Sequence, residues 1–230
     1  MKRSVKKGYF FNKVPCLMLK IHRFTFNEFQ ENTYLLSDPQ GKTVVIDPGC
    51  YHRREKAVLQ QYIAENGLEI VLLVNTHCHI DHVLGNYFIQ QTYKVPFLIP
   101  EKEQSVLASV PQYAGLYGFG GYEPATPSGF LTEKDQLIFG TAQMEIRFVP
   151  GHSPGHLVFY SPSDGFCIGG DVLFYNSIGR TDLPGGNHEQ LLAGIRSQLY
   201  TLPPETVVYP GHGPETTIGY EQRTNPFCKI

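Results

Sequence analysis

The 230-residue chain has no tryptophan and only three methionines, and none of its apolar runs approaches the roughly 20 residues that a membrane-spanning helix needs. No membrane association is expected. Charge of one sign is missing as well: 19 Lys and Arg face 21 Asp and Glu without a long run of either, which argues against a broad electrostatic grip on nucleic acid. The five cysteines, Cys16, Cys50, Cys78, Cys167 and Cys228, are odd in number, scattered and without C-x-x-C spacing, so no disulfide framework is expected and a reducing cytoplasm is the natural location. The start, Met1 to Lys7, is basic, but Gly8 to Cys16 is too polar for the core of a signal peptide. Residues 1–17 read as a loosely ordered extension, with Met18 as an alternative start. No linker-like composition divides residues 18–230, which are expected to form one domain. The hydrophobic fraction of 41% is ample for its core.

What the chain does have is concentrated between Ile70 and Asn86. The apolar run Ile70-Val71-Leu72-Leu73-Val74 reads as a buried strand and stops at Asn75-Thr76. Five ligand-type residues follow within six positions: His77, Cys78, His79, Asp81 and His82. Side chains alternate along an extended segment, so His77, His79 and Asp81 share one side and Cys78 takes the other. Imidazole nitrogen and carboxylate oxygen suit zinc and iron, whereas a site selected for soft thiolate would use the cysteine. Cys78 is therefore left out of the ligand set. Val83 to Gln90 carries helical spacing, with Asp81 expected to cap it.

Elsewhere the pattern gives strands at 19–26, 32–37 and 43–46, a turn at Asp38-Pro39-Gln40-Gly41, and a helix over 53–66. A strand at 96–100 and a helix over 101–109 follow. Residues 111–129, with Tyr113, Tyr117, Phe119 and Tyr122 among glycines and prolines, read as a long loop, either functional or a cover over apolar surface. Strands return at 136–139, 144–149, 157–160, 165–168 and 206–209, with helices over 189–199 and 214–223. Strands and helices in both halves fit an α/β fold of two sheets packed face to face with helices outside, a four-layer αββα sandwich.

Three further loops leave strands with a ligand directly after glycine: Gly151-His152, Gly170-Asp171 and Gly211-His212. Glycine permits sharp exits and close backbone approach. Seven ligands suffice for two divalent metal ions sharing one carboxylate, with a position left for water.

With Thr76 to His82, Pro150-Gly151-His152-Ser153-Pro154-Gly155-His156, Gly170-Asp171 and Pro210-Gly211-His212 in this order, the chain resembles the metallo-β-lactamase superfamily from Met18 onward. The resemblance implies that His77, His79 and His152 hold one metal, Asp81, His82 and His212 the other, and that Asp171 bridges them. Ser177-Ile178-Gly179-Arg180-Thr181-Asp182 and the ending Gly211-His212-Gly213-Pro214 look like the glyoxalase II-like (hydroxyacylglutathione hydrolase-like) branch. Asp47, in the family's Asp-x-Gly position, is expected to orient a ligand from behind or to serve structure alone. Arg180 is expected to bind a substrate carboxylate or pair with an internal acid, and Tyr175 is a further candidate for contact with substrate. His156 reads as a local hydrogen-bonding residue, and His22, His52 and His188 as surface or structural.

Two divalent cations, zinc first and iron second, would lower a bound water's pKa from about 15.7 toward about 7. The expected activity is thus hydrolysis of a small-molecule thioester, with 2-hydroxyacyl-glutathione as the family's type substrate, and Asp81 as the catalytic carboxylate. The alternative is an iron-dependent persulfide dioxygenase of the same superfamily, which also shows H-x-H-x-D-H and Gly-Arg-Thr-Asp. A nuclease would want a basic insertion, a lactamase a secretory signal, and a non-catalytic scaffold would have lost ligands. Relatives dedicated to glutathione thioesters carry a helical extension after the last ligand, whereas here residues 213–230 have room for one helix, so weak saturation by glutathione esters is expected. The sequence carries no signal of oligomeric state.

Overall fold

The computed structural model describes residues 19–230, so the expected basic extension over 1–17 and the alternative start at Met18 lie outside the described residues. The first half runs β1 (Lys20–Phe26), β2 (Glu31–Ser37), β3 (Lys42–Ile46), α1 (Arg53–Glu65), β4 (Glu69–Val74), α2 (Ile80–Val83), α3 (Asn86–Tyr93), β5 (Phe97–Pro100), α4 (Gln104–Tyr113) and β6 (Gly129–Leu131). The second runs β7 (Gln136–Phe139), β8 (Ala142–Phe148), β9 (Leu157–Ser161), β10 (Phe166–Gly170), β11 (Leu173–Phe174), β12 (Ser177–Ile178), α5 (His188–Gly194), β13 (Val207–Pro210), β14 (Thr216–Thr217) and α6 (Ile218–Thr224).

One sheet has the order β1-β2-β3-β4-β5-β6, antiparallel at β1-β2-β3 and parallel from β3 to β6. The other has the order β14-β13-β10-β9-β8-β7 and is antiparallel except where β10 meets β13. The period of two in each strand decides which core a side chain enters. Tyr34, Leu36, Val44, Ile46, Leu72 and Val74 face Leu137, Phe139, Met144, Ile146, Phe159 and Ile168 between the sheets. Their neighbours Leu35, Val45 and Leu73 point outward beneath Leu59 and Ile63 of α1 and the α2 to α4 segment. On the far side Val158, Cys167 and Val208 meet Leu191, Ile195 and Leu199. Helices, sheet, sheet and helices make the expected αββα sandwich. Because β4 and its neighbours are covered on both faces, their sequences are continuously apolar instead of alternating.

Four expectations need correction. The helix expected over 83–90 is two pieces, α2 and α3, hinged at Gly85, where a Cβ would press on the Pro48 carbonyl and the Cys50 sulfur. The helix expected over 101–109 starts as a 3-10 turn at Glu101–Glu103 and continues to Tyr113 with Pro111 inside it, so the segment expected to be loop begins as helix. Phe119 then buries itself against Tyr51, at 5.0 Å between ring centroids, and anchors the remainder on the first core. Finally, Pro214 does not open the last helix. Thr216–Thr217 pairs with β13, and α6 starts at Ile218 with the Thr217 hydroxyl accepting from the Tyr220 N–H.

Candidate metal centre

All seven expected ligands converge at one edge of the sandwich, on loops leaving β4, β8, β10 and β13. His77 and Cys78 alternate as the extended backbone requires, and the Cys78 side chain is fully buried in the helix-facing core. The alternation ends sooner than expected. His79, at φ −67° and ψ 154°, occupies the N-cap position of α2, and Asp81 lies inside its first turn. Asp81 is thus not the cap. It reaches the site because one helical turn presents Asp81 and His82 together.

Two groups of ligand atoms form, His77 with His79 and His152, and Asp81 with His82 and His212, each within 4.8 Å. Asp171 stands between them: Oδ1 lies 3.4 Å from His82 Nε2, and Oδ2 lies 3.4 Å from His152 Nε2 and 3.5 Å from His212 Nε2. Asp81 Oδ2 is 3.1 Å from His212 Nε2 and 3.6 Å from His82 Nε2. Most of these separations are long for hydrogen bonds. They are the spacing of atoms that share a neighbour, since a tetrahedral ion with bonds of about 2.1 Å sets its ligands about 3.4 Å apart. His77 Nε2, His82 Nε2 and Asp171 Oδ1 are buried without any hydrogen-bond partner, which is costly unless something else satisfies them. A Cβ at Gly211 would run into Asp171 Oδ1 and His82 Cε1, so only glycine leaves the space between them open. On these observations the residues fit two cations.

The outer nitrogens explain why the inner ones are free. Asp47, buried and held at φ +49°, takes the Thr76 N–H at 2.7 Å on Oδ1, and the Thr76 hydroxyl at 2.6 Å and His82 Nδ1 at 3.2 Å on Oδ2. Because the Thr76 hydroxyl spends its one proton on Asp47, its oxygen accepts from His77 Nδ1 at 3.1 Å. One carboxylate therefore fixes both histidines with Nε2 bare. A third group of ligand-type atoms, Asp47 with His77 and His82, is accounted for by these bonds. His152 Nδ1 donates to the Arg180 carbonyl at 2.8 Å and His212 Nδ1 to the Phe29 carbonyl at 3.0 Å.

Burial pushes His77 well below the ordinary imidazole range, and burial with the nearby His152 lowers His79 to about 4, so the neutral form of both is favoured, and His79 Nδ1 meets His152 Nε2 at 2.9 Å. Burial also opposes charge on His82 and His212, yet the facing carboxylates Asp81 and Asp171 raise both. The second position is thus a field that favours positive charge.

His156, buried and stacked on His77 at 4.7 Å, accepts the Asp171 N–H on Nε2 at 3.0 Å. Its bond shapes the loop that delivers Asp171. The Arg180 guanidinium is exposed and pairs with Asp182 through two contacts of 2.7 Å, so the acid it meets lies on the surface. Tyr175, half exposed, stacks on Tyr220 with the hydroxyls 3.1 Å apart, while the preceding Phe174 meets the His212 ring edge-on at 6.2 Å. His22 stacks on Tyr62, His52 pairs with Glu28, and His188 opens α5.

Glu103 and Asn32, which no sequence motif singles out, are both buried and both hydrogen-bonded to ligand loops. Their partners on the ligand loops lie from 25 to 181 residues away, so no local pattern marks them.

The chain belongs to the metallo-beta-lactamase superfamily, whose model matches residues 26–212. It is 40% identical to the probable metallo-hydrolase YqgX of Bacillus subtilis, covering 91% of this chain and 97% of that one. It is 35% identical to the hydroxyacylglutathione hydrolase GloC of Haemophilus influenzae, covering 86% and 93%. A solved structure of TTHA1623 in a di-iron-bound form superposes with a TM-score of 0.80 at 37% identity, covering 90% of this chain and 99% of that one. Family and site together make this a metal-dependent hydrolytic enzyme. No helix among the described residues is long and apolar enough to cross a membrane.

Proposed function

We propose that the enzyme hydrolyses small-molecule thioesters, with 2-hydroxyacyl-glutathione as the leading substrate. The observation that carries the reading is the pairing of the two ligand groups through Asp171, together with the likeness to GloC over 93% of that protein's length. We assign one cation to His77, His79 and His152, the other to Asp81, His82 and His212, and both to Asp171. Zinc is the first choice, and the same donor set suits iron. When bound, two such ions supply an acidified water and a Lewis acid for the scissile carbonyl.

The chain's own residues set the direction of approach. His77 and His82 are wholly buried and form the floor, whereas the side chains of His212 and Asp81 keep 26% and 13% of their surface, so substrate enters over these two. Asp81 is then the carboxylate able to accept a hydrogen bond from the attacking water and hold it in line with the carbonyl. Neither Cys78 nor Ser153, the thiol and hydroxyl that adjoin the ligands, competes as a nucleophile. Burial pushes the Cys78 thiol up and its side chain faces the core, while Ser153 gives its hydroxyl proton to Glu103. A leaving thiol with a pKa of about 8.5 departs from the tetrahedral centre with little help from an acid. The exposed Tyr175, stacked on the half-buried Tyr220 and following the Phe174 that meets His212, and Arg180, whose carbonyl meets His152, are candidates for the thiol carrier's contacts.

The test is thiol release from 2-hydroxyacyl-glutathione by protein loaded with zinc or with iron, beside oxygen uptake with glutathione persulfide. Thiol release without oxygen uptake supports the reading. Oxygen uptake by the iron form without thioester cleavage would transfer the assignment to a persulfide dioxygenase.

A further inference from the structure

The ligands of each proposed cation come from both sheets. His77 and His79 follow β4 of the first sheet, while His152 follows β8 of the second; Asp81 and His82 belong to the first, while His212 follows β13 of the second. Two loops that must meet within a fraction of an ångström therefore hang from separate supports, and something has to register them.

At the first group this falls to Glu103, in the 3-10 turn after β5 and fully buried. Its Oε2 accepts the Cys78 N–H at 2.9 Å, the peptide between His77 and His79. Its Oε1 accepts the Gly155 N–H and the Ser153 hydroxyl, each at 2.6 Å, just beyond His152. One carboxylate thus spans the two loops. A Cβ at Gly155 would lie 2.8 Å from Glu103 Cγ, so the loop is closed directly upon it.

At the second group the same task falls to Asn32, buried in β2. Its backbone N–H donates to the Gly211 carbonyl at 2.7 Å, and its side-chain amide donates to the carbonyls of Pro210 at 3.0 Å and Gly213 at 2.9 Å, so one residue meets three carbonyls flanking or adjoining His212, with the Tyr34 hydroxyl as a second donor to Pro210 and Arg23 as a second donor to Gly213. The Thr25 hydroxyl, donating to Asn32 Oδ1 at 3.0 Å, sets which end of the amide faces the loop.

We infer that Glu103 and Asn32 are positioning residues, one for each cation, and that the two metal sites are registered separately. The inference rests on the ligand assignment proposed above. A buried residue that merely supports the fold would weaken both sites together or neither. A positioning residue weakens its own site, by about 10–100-fold in affinity when its hydrogen bonds are removed.

The experiment is competition titration of chelator-stripped full-length protein with zinc against a chromophoric chelator, for wild type, Glu103→Gln, Asn32→Ala, His152→Ala and His212→Ala. Gln at 103 leaves an amide group facing one of the N–H or O–H donors, and Ala at 32 takes the amide donor from the Pro210 and Gly213 carbonyls, leaving them the Tyr34 hydroxyl at 2.7 Å and Arg23 Nη1 at 3.3 Å. Wild type is expected to bind two ions. Glu103→Gln should weaken the same step that His152→Ala removes, and Asn32→Ala the step that His212→Ala removes. Ser153→Ala and Thr25→Val, which take one donor from each set, should give the same selectivity in smaller measure, and they decide the matter if either larger change prevents folding. Unchanged affinities, or both variants weakening the same step, overturn the inference while leaving the ligand assignment intact. Fewer than two ions bound by wild type overturns the assignment itself, and this inference with it.

Discussion

Asp47 Oδ2 lies 3.2 Å from His82 Nδ1 and 2.6 Å from the Thr76 hydroxyl that in turn accepts from His77 Nδ1. One carboxylate behind the site therefore sets the tautomer of one histidine from each ligand group. Asp47→Ala should lower affinity at both metal positions by about 10–100-fold and destabilise the metal-free protein by several kcal/mol, because it orphans buried donors on Asn75, Thr76 and His82 at about 1–3 kcal/mol each. Thr76→Val should affect chiefly the group that contains His77. Zinc titration and thermal melts of the stripped variants separate the two. Equal effects of Thr76→Val at both positions would break the relay.

Cys78 stands between two ligand histidines, yet its side chain points into the core with no surface exposed. Cys78→Ala should keep full metal content and lose about 1 kcal/mol of stability for the small cavity left behind. Elemental analysis of the variant checks this, and a missing ion would show that the thiolate is a ligand after all.

Far from the site, Asp38 joins the β2-β3 turn to the β7-β8 turn. Burial opposes its charge, but the N–H groups of Thr141, Lys42 and Gln40 and the Thr141 hydroxyl overcome that and hold its carboxyl below the ordinary value. A depressed folded-state pKa means that the unfolded chain binds the proton first. Asp38 thus adds stability above its unfolded value of about 3.9, and the contribution is lost as pH falls through the lower folded value. Asp38→Asn should cost about 1–3 kcal/mol at neutral pH and flatten the acid limb of the stability curve. Urea melts between neutral pH and pH 3 measure both, and an acid limb unchanged in slope would contradict the assignment.

Much of the centre was legible because its residues are dense in sequence. His77, His79, Asp81 and His82 fall in six positions after an apolar run, and His152, Asp171 and His212 each follow a glycine whose conformation or lack of a Cβ the structure requires. The layers were legible because alternate strand residues meet different cores. What escaped is held by distant partners. Glu103 joins loops 25 and 50 or more residues away, and Asn32 reaches carbonyls 178 and 181 residues on. The strands β6, β11, β12 and β14, of two or three residues each, are too short to show a period and exist only because a neighbour offers hydrogen bonds. Asp81 reads as a cap in the sequence because helix-start signals cannot separate a first-turn acid from an N-cap when the N-cap lies two residues earlier, at His79.

The proposed thioester hydrolysis depends on Asp171 serving both ligand groups. It is tested most directly by adding zinc stepwise to stripped protein and following 2-hydroxyacyl-glutathione cleavage against ions bound per chain, in wild type and Asp171→Ala. Activity should reach its maximum only at two equivalents in wild type, and should fall by roughly 10³-fold or more in the variant, with both ions bound more weakly. Full turnover in the presence of chelator, or an Asp171→Ala protein that still binds two ions and cleaves the thioester at the wild-type rate, would contradict it.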